Sequence, residues 1–184
     1  MNGTLYFAAT EREKGEELWK SDGTPEGTVM VKDIYEGSTG GTPNFMTWAN
    51  GSVYFIATHP YSGRELWKTD GTSQGTVLVK DIYPGSYYTD NTIPINLTEM
   101  NGLLYFMAAD ATLGRELWKS DGTEAGTTLV KDVNPGSAIG FYSNSYMING
   151  GGTLYFSGYS DANGFELWKS DGSTAGTVLV KDIV

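Results

Sequence analysis

The chain has 184 residues, of which 39% are hydrophobic and 18% are charged, a balance that indicates a globular protein and excludes a disordered one. The formal net charge is −10 and no cluster of Lys or Arg offsets it, so we expect no nucleic acid partner. No apolar run approaches the roughly 20 residues that a membrane span requires, so we expect no insertion into a membrane. The lack of Cys excludes disulfides, thiolate zinc sites and cysteine nucleophiles.

In chain order, the first predicted strand is the short aromatic segment Leu5-Tyr6-Phe7, and the second is Glu17-Leu18-Trp19-Lys20. The segment Asp22 to Thr28 then predicts a turn, because Asp and Thr side chains bond nearby amides and Gly supplies positive φ. The β-branched run Val29 to Asp33 predicts a third strand. These segments together indicate a unit rich in β-structure.

A fourth, more variable strand is predicted over Pro43 to Ala49. It precedes Asn50-Gly51, which is the strongest short signal for a two-residue hairpin. The fourth strand should therefore pair back onto the next aromatic segment, Val53-Tyr54-Phe55.

The unit occurs four times, and its Glu-Leu-Trp-Lys-Ser-Asp-Gly-Thr motif returns every 48 to 51 residues with Ser and Thr exchanged at two positions. We interpret the constant residues of the motif as structural. They are Trp19, Asp22, Gly23, Trp67, Asp70, Gly71, Trp118, Asp121, Gly122, Trp168, Asp171 and Gly172. The chain is thus predicted to be a single repeat domain over 1–184, divided approximately into 1–42, 43–92, 93–140 and 141–184.

Four antiparallel strands in about fifty residues predict one blade of a β-propeller, so the expected fold is all-β with four blades per chain. Tandem copies are needed because one blade cannot bury both of its faces. Only fifteen strands are counted, since the first blade lacks the variable strand, which should be innermost. We expect two chains to pair head-to-tail into an eight-bladed ring; the alternative is four blades that close on themselves or leave a seam.

The repeated motif, written out from Glu17 to Thr24, resembles the ELWxxDGT-repeat proteins of bacteria, and the resemblance covers essentially the whole chain. It implies a repeat propeller that belongs to a large secreted or cell-surface protein, and it implies no reaction. The N-terminus has no basic region followed by an apolar stretch, so no signal peptide is predicted within this chain.

The function expected from these patterns is a non-catalytic scaffold or protein-binding module that associates with itself through blade faces. We expect no enzyme, because the only histidine, His59, lies in a loop of one repeat and no nucleophile elbow or repeated Ser/His/Asp arrangement occurs. The alternative is a lectin-like propeller that binds glycans through aromatic residues of the variable segments. These candidates are Tyr61, Tyr87, Tyr88, Phe141, Tyr142 and Tyr159.

Two further expectations concern charged residues. The turns contain one Asp each, which is a weak signal for calcium, so we expect no cofactor and interpret Asp22 and its copies as turn caps. Lys32 and Asp33 are neighbours on a strand and point to opposite faces. Lys32 is therefore expected to form an ion pair with an acidic group such as Glu17 on an adjacent strand or blade.

Overall fold

The computed structural model describes residues 3–85, 92–136 and 139–183 and is all-β within them. Its fifteen strands are β1 Leu5–Glu11, β2 Gly15–Ser21, β3 Val29–Lys32, β4 Asn44–Ala49, β5 Ser52–His59, β6 Gly63–Thr69, β7 Val77–Lys80, β8 Ile95–Met100, β9 Leu103–Ala109, β10 Arg115–Ser120, β11 Thr128–Lys131, β12 Met147–Asn149, β13 Leu154–Ser160, β14 Gly164–Ser170 and β15 Val178–Lys181. In these ranges no helix is long and apolar enough to cross a membrane.

The strands form four antiparallel sheets, each with its strands in chain order. The first sheet has three strands, β1 to β3, and each of the others has four, beginning with β4, β8 and β12. The leading strands β1, β4, β8 and β12 contact one another from blade to blade. The prediction of a propeller of four-stranded antiparallel blades is confirmed, including the first blade without its variable strand.

Two-residue turns join the first and second strands of the middle blades. Asn50 and Gly51 have φ of 44° and 78°, and Asn101 and Gly102 have φ of 55° and 80°. Positive φ at both central positions defines the mirror-image type I turn, whose twist matches that of a hairpin. The Asn-Gly pairs thus fix the register in which each variable strand lies beside its aromatic strand.

A β-bulge recurs in the strand that carries each motif tryptophan. The register towards the last strand of the sheet shifts between Leu18 and Trp19, and between Leu66 and Trp67, with the same shift in both later blades. A bulge bends its strand and increases the local twist.

Each of the first three blades packs one face, here called the front face, on the next blade. Its four apolar positions are Tyr6, Leu18, Val31 and Ile34 in the first blade, Tyr54, Leu66, Val79 and Ile82 in the second, Tyr105, Leu117, Val130 and Val133 in the third, and Tyr155, Leu167, Val180 and Ile183 in the fourth. The opposite, back face of the following blade contributes an aromatic pair, Phe55 with Trp67, Phe106 with Trp118, or Phe156 with Trp168. Three such junctions make up the core.

The two outer faces of the row of blades are more exposed than the equivalent faces at the three closed junctions. On the front face of the fourth blade, Tyr155 is 37% exposed and Leu167 is 45% exposed, whereas Leu66 is fully buried. On the back face of the first blade, Phe7 and Trp19 are half-buried, although the equivalent Phe and Trp of the other blades are buried.

The repeat allows a matched test of junction packing. Leu66→Ala should lower the free energy of unfolding by about 2–5 kcal/mol, because it leaves a cavity in a closed junction. Leu167→Ala changes the same repeat position on the open face. In dilute protein it should lower the free energy of unfolding by less than about 1 kcal/mol. Urea denaturation measures both, and equal losses would show that the fourth front face is as closely packed as the others.

Candidate functional site

The glutamate of the motif holds the segment that leads to the next blade. The Oε1 of Glu17 accepts hydrogen bonds from the backbone N–H of Tyr35 at 2.9 Å and of Gly41 at 2.7 Å. Glu116 accepts from the N–H of Val133 through Oε2 and from that of Gly140 through Oε1. Each of these carboxyl groups is fully buried, so the connecting segment is fixed from inside the sheet.

The lysines of the motif strands donate to backbone carbonyls of the following blade. The Nζ of Lys20 donates to the carbonyl of Gly71 at 2.8 Å, and the Nζ of Lys32 donates to that of Thr76 at 2.9 Å. The predicted ion pair between Lys32 and Glu17 is therefore wrong: the lysine bonds to the backbone of the next blade, and the carboxyl group is occupied by two backbone amides.

The Asp-Gly-Thr turn closes on itself and receives the tyrosine of the preceding blade. The Oδ1 of Asp70 accepts from both the N–H and the hydroxyl of Thr72, and these bonds lower the pKa of Asp70. Gly71 has φ of 93°, and a Cβ there would collide with the hydroxyl of Tyr6. Glycine is thus required both by the turn and by the blade contact.

A cavity of about 530 Å³ opens between the first and second blades. It lies at the end of the strands opposite to the Asp-Gly-Thr turns. One wall is the segment 32–36, which follows β3 and is held by Glu17 through the N–H of Tyr35. The other wall is the tip of the β5–β6 hairpin together with Trp67. We name this space the first-junction cavity.

The first-junction cavity combines two carboxyl groups, an imidazole and aromatic rings. Asp33 and Glu36 lie on the first wall, and the Oδ1 of Asp33 is buried without a hydrogen-bond partner. The His59 ring is 5.6 Å from that of Tyr61, edge-on, and 5.8 Å from that of Trp67. Burial, with the positive charge of Lys32, lowers the pKa of His59 from 6.5, so the imidazole is neutral at pH 7.

The same positions carry different groups at the other two junctions. The buried Asp is repeated as Asp81 and Asp132, each again with an unpartnered Oδ1. By contrast, Glu36, His59 and Tyr61 correspond to Pro84, Asp110 and Thr112 at the second junction, and to Pro135, Ser160 and Ala162 at the third. The framework of the cavity is therefore repeated, whereas its polar and aromatic lining is specific to the first junction.

The aromatic residues that were predicted to bind a ligand lie in different parts of the structure. Tyr61 is 81% exposed and lines the first-junction cavity. Tyr142 and Tyr159 form an aromatic cluster with Phe165 on the fourth blade, with ring centres 5.1 to 5.8 Å apart. Phe141 is fully buried against Phe156 and belongs to the core, which corrects its assignment as a ligand residue. Tyr87 and Tyr88 lie outside the described residues.

Sequence reasoning did not single out Asp33, Glu36 and His59 as a group. The positions are far apart along the chain, and only the stacking of two blades brings them together. The signal in the sequence was the departure of Glu36 and His59 from an otherwise regular repeat. Over residues 3–85, 92–136 and 139–183 no three His, Asp or Glu side chains are grouped as ligands of a metal ion.

No protein-family model matches the chain, and no curated protein is similar to it in sequence. Solved structures do share its fold. A puromycin hydrolase matches with a TM-score of 0.60 at 15% identity, over 98% of this chain and 28% of its own, and a puromycin-hydrolyzing peptidase of Mycobacterium tuberculosis matches with 0.57 at 13%, over 99% and 28%. This chain therefore spans about 28% of the length of these enzymes.

An α-L-arabinofuranosidase of the GH43 glycoside hydrolases, from Clostridium thermocellum, matches with a TM-score of 0.43 at 18% identity, over all of this chain and 70% of its own. The prediction of a non-catalytic scaffold or interaction module, with a lectin as alternative, is wrong, as is the exclusion of an enzyme, because the solved structures that share the fold with TM-scores of 0.57 and 0.60 are hydrolases. At these identities the likeness shows the fold, and the residues of this chain must supply the argument for its chemistry.

The buried glutamates predict a pH dependence of stability. Burial raises the pKa of Glu65 and of Glu116 to about 8, from 4.5. The folded state therefore holds these protons more tightly than the unfolded state, and the stability that they contribute is complete below pH 4.5 and lost as the pH rises through 8. The slope is at most about 1.4 kcal/mol per pH unit for each group.

Urea denaturation between pH 4.5 and 8 measures this slope. Glu65→Gln and Glu116→Gln keep an acceptor for the backbone amides but do not titrate, so each should flatten the profile. The matched control is Glu124→Gln, at an exposed position, which should leave the slope unchanged. A slope that survives both buried substitutions would contradict the assignment.

Proposed function

We propose that the chain carries a hydrolytic active site in the first-junction cavity and that its substrate is a glycoside. The observation that carries the proposal is the lining of this cavity, which adds Glu36, His59 and Tyr61 to a framework that the other junctions repeat without them. Groups placed at one junction only are not needed to hold blades together. They are therefore available for chemistry.

The first support is the pair of carboxyl groups. Asp33 and Glu36 line the cavity, and hydrolysis of a glycosidic bond commonly uses a pair of carboxyl groups, one as proton donor and one as base or nucleophile. One gives a proton to the leaving oxygen as the bond from the anomeric carbon breaks. The other assists the attack of water on that carbon or forms the transient ester with it. The products are two hydroxyl compounds, and water is consumed.

The second support is the shape and polarity of the walls. Tyr61, which is 81% exposed, offers a flat apolar surface on the wall opposite to the carboxyl groups, and small-molecule sites typically combine such surfaces with a few polar groups. The volume of about 530 Å³ is that of a site for a small ligand. His59, neutral at pH 7, can accept a hydrogen bond from a substrate hydroxyl without adding charge.

We further propose that the protein is located outside the cell or at its surface, as the resemblance of its motif to the ELWxxDGT-repeat proteins implies.

Hydrolysis of a panel of p-nitrophenyl glycosides and of the matching methyl glycosides tests the proposal. Asp33→Asn and Glu36→Gln should each lower kcat/KM for the methyl glycoside by at least about 100-fold. The variant that lacks the proton donor should keep more activity on the p-nitrophenyl compound, whose leaving group needs no proton. This difference assigns the two roles.

The matched controls are Asp81→Asn, at the same repeat position in the second blade, and Glu124→Gln, at an exposed position. Both should leave kcat/KM unchanged. Cleavage of no glycoside in the panel would overturn the proposal. So would full activity of both cavity variants. Puromycin is included as a comparison substrate, and its hydrolysis in place of the glycosides would overturn the assignment of substrate class.

A further inference from the structure

We propose that the front face of the fourth blade binds the back face of the first blade of a second copy of this chain, so that two copies close one ring through two identical junctions. This surface is separate from the first-junction cavity, and the inference does not depend on the proposed activity. It rests on the way in which the three closed junctions are built.

The apolar part of the junction is present on the fourth blade but open. Leu18, Leu66 and Leu117 are fully buried by the blade that follows each of them, whereas Leu167 is 45% exposed. Ile183 is 73% exposed, while its counterpart Ile34 is buried. The complementary aromatic pair, Phe7 and Trp19, is only half-buried on the first blade. Each end of the row thus exposes the half of a junction that the other end lacks.

A half-built cavity marks the same surface. Between the first two blades, a cavity of about 460 Å³ has one wall that includes Thr4, Lys20 and Gly27 and a second wall of Asp70, Gly71 and Thr72 from the next blade. On the fourth blade, a cavity of about 280 Å³ includes the counterparts of the first wall, which are Thr153, Lys169 and Gly176. By analogy with the closed junction, the missing second wall is the Asp-Gly-Thr turn of a following blade.

The polar groups of the two ends match as well. Lys20 and Lys32 donate to the carbonyls of Gly71 and Thr76 across the first junction. Among the residues that the structure describes, their counterparts on the fourth blade, Lys169 and Lys181, have no such acceptor.

On the first blade, the Gly23 turn is open. A Cβ at Gly23 would meet no atom, whereas one at Gly71 would meet the hydroxyl of Tyr6. The hydrogen bonds from Thr72 and, to a smaller extent, the positive charge of Lys20 across the closed junction lower the pKa of Asp70. By the geometry of the closed junctions, Lys169 donates to the carbonyl of Gly23 of the second copy, and the Tyr155 hydroxyl lies against that glycine.

A second copy is the occupant that supplies both missing halves at once. Two different faces that bind head-to-tail generate either a ring or an open fibre. In a two-copy ring each exposed face is covered, and no apolar face remains to recruit a third chain. The expected assembly has eight blades, four from each copy.

Light scattering coupled to size exclusion, over a wide range of protein concentration, tests the assembly. A mass of about 40 kDa, twice the 19.9 kDa of one chain, is expected. Leu167→Glu should reduce it to the mass of one chain, and circular dichroism should show that the blades remain folded, because the side chain is not enclosed within its own chain. Phe45→Glu, at an exposed position of the second blade, is the matched control and should leave the mass at two chains.

Cross-linking tests which faces meet. The chain has no Cys, so Thr24→Cys combined with Thr153→Cys places two thiols where the equivalent residues Thr4 and Thr72 line one cavity. A short bismaleimide should join two copies into a covalent dimer, and addition of Leu167→Glu should abolish the product. A mass of one chain at every concentration, a mass above two chains, or a dimer that is unaffected by Leu167→Glu would overturn the proposal.

Discussion

The packing of one blade's front face on the back face of the next is the interaction on which the rest of the structure depends. Each closed junction buries a Leu, a Tyr and two branched aliphatic side chains against a Phe and a Trp. Burial of one such side chain contributes about 1.5–3 kcal/mol. A single blade gains no such stabilisation, because both apolar faces of its sheet would be exposed to water. The repeated sequence is a consequence, since one junction must serve at every position along the row.

The motif divides its work between apolar and polar groups. Its Leu and Trp fill the junction, its Glu holds the connecting segment by backbone amides, and its Lys bonds to the turn of the next blade. With these positions committed to assembly, residues that depart from the repeat are free to carry function. Glu36, His59 and Tyr61 are such departures, and stacking places all three at one cavity.

Much of the fold follows from the sequence because the relevant signals are local and repeated. Asn50-Gly51 predicts its hairpin from backbone conformation alone, and the aromatic and β-branched segments predict the strands. Other features depend on contacts between blades. The bulge at each Trp, the contact of Lys32 with the next turn, and the burial of Phe141 have no local signal. His59, predicted to lie in a loop, is the last residue of β5, where the pairing of β5 with β6 places its ring beside Trp67.

Hydroxyl-radical footprinting read by mass spectrometry is the most direct test of the claim that one repeated junction organises the molecule, including its two open ends. The oxidation of Leu167, Tyr155 and Trp19 is measured below and above the concentration at which the chain associates. Our account predicts that all three become protected together on association, while Phe45 does not change. Unchanged oxidation at these three residues, or protection of only one of the two faces, would contradict it.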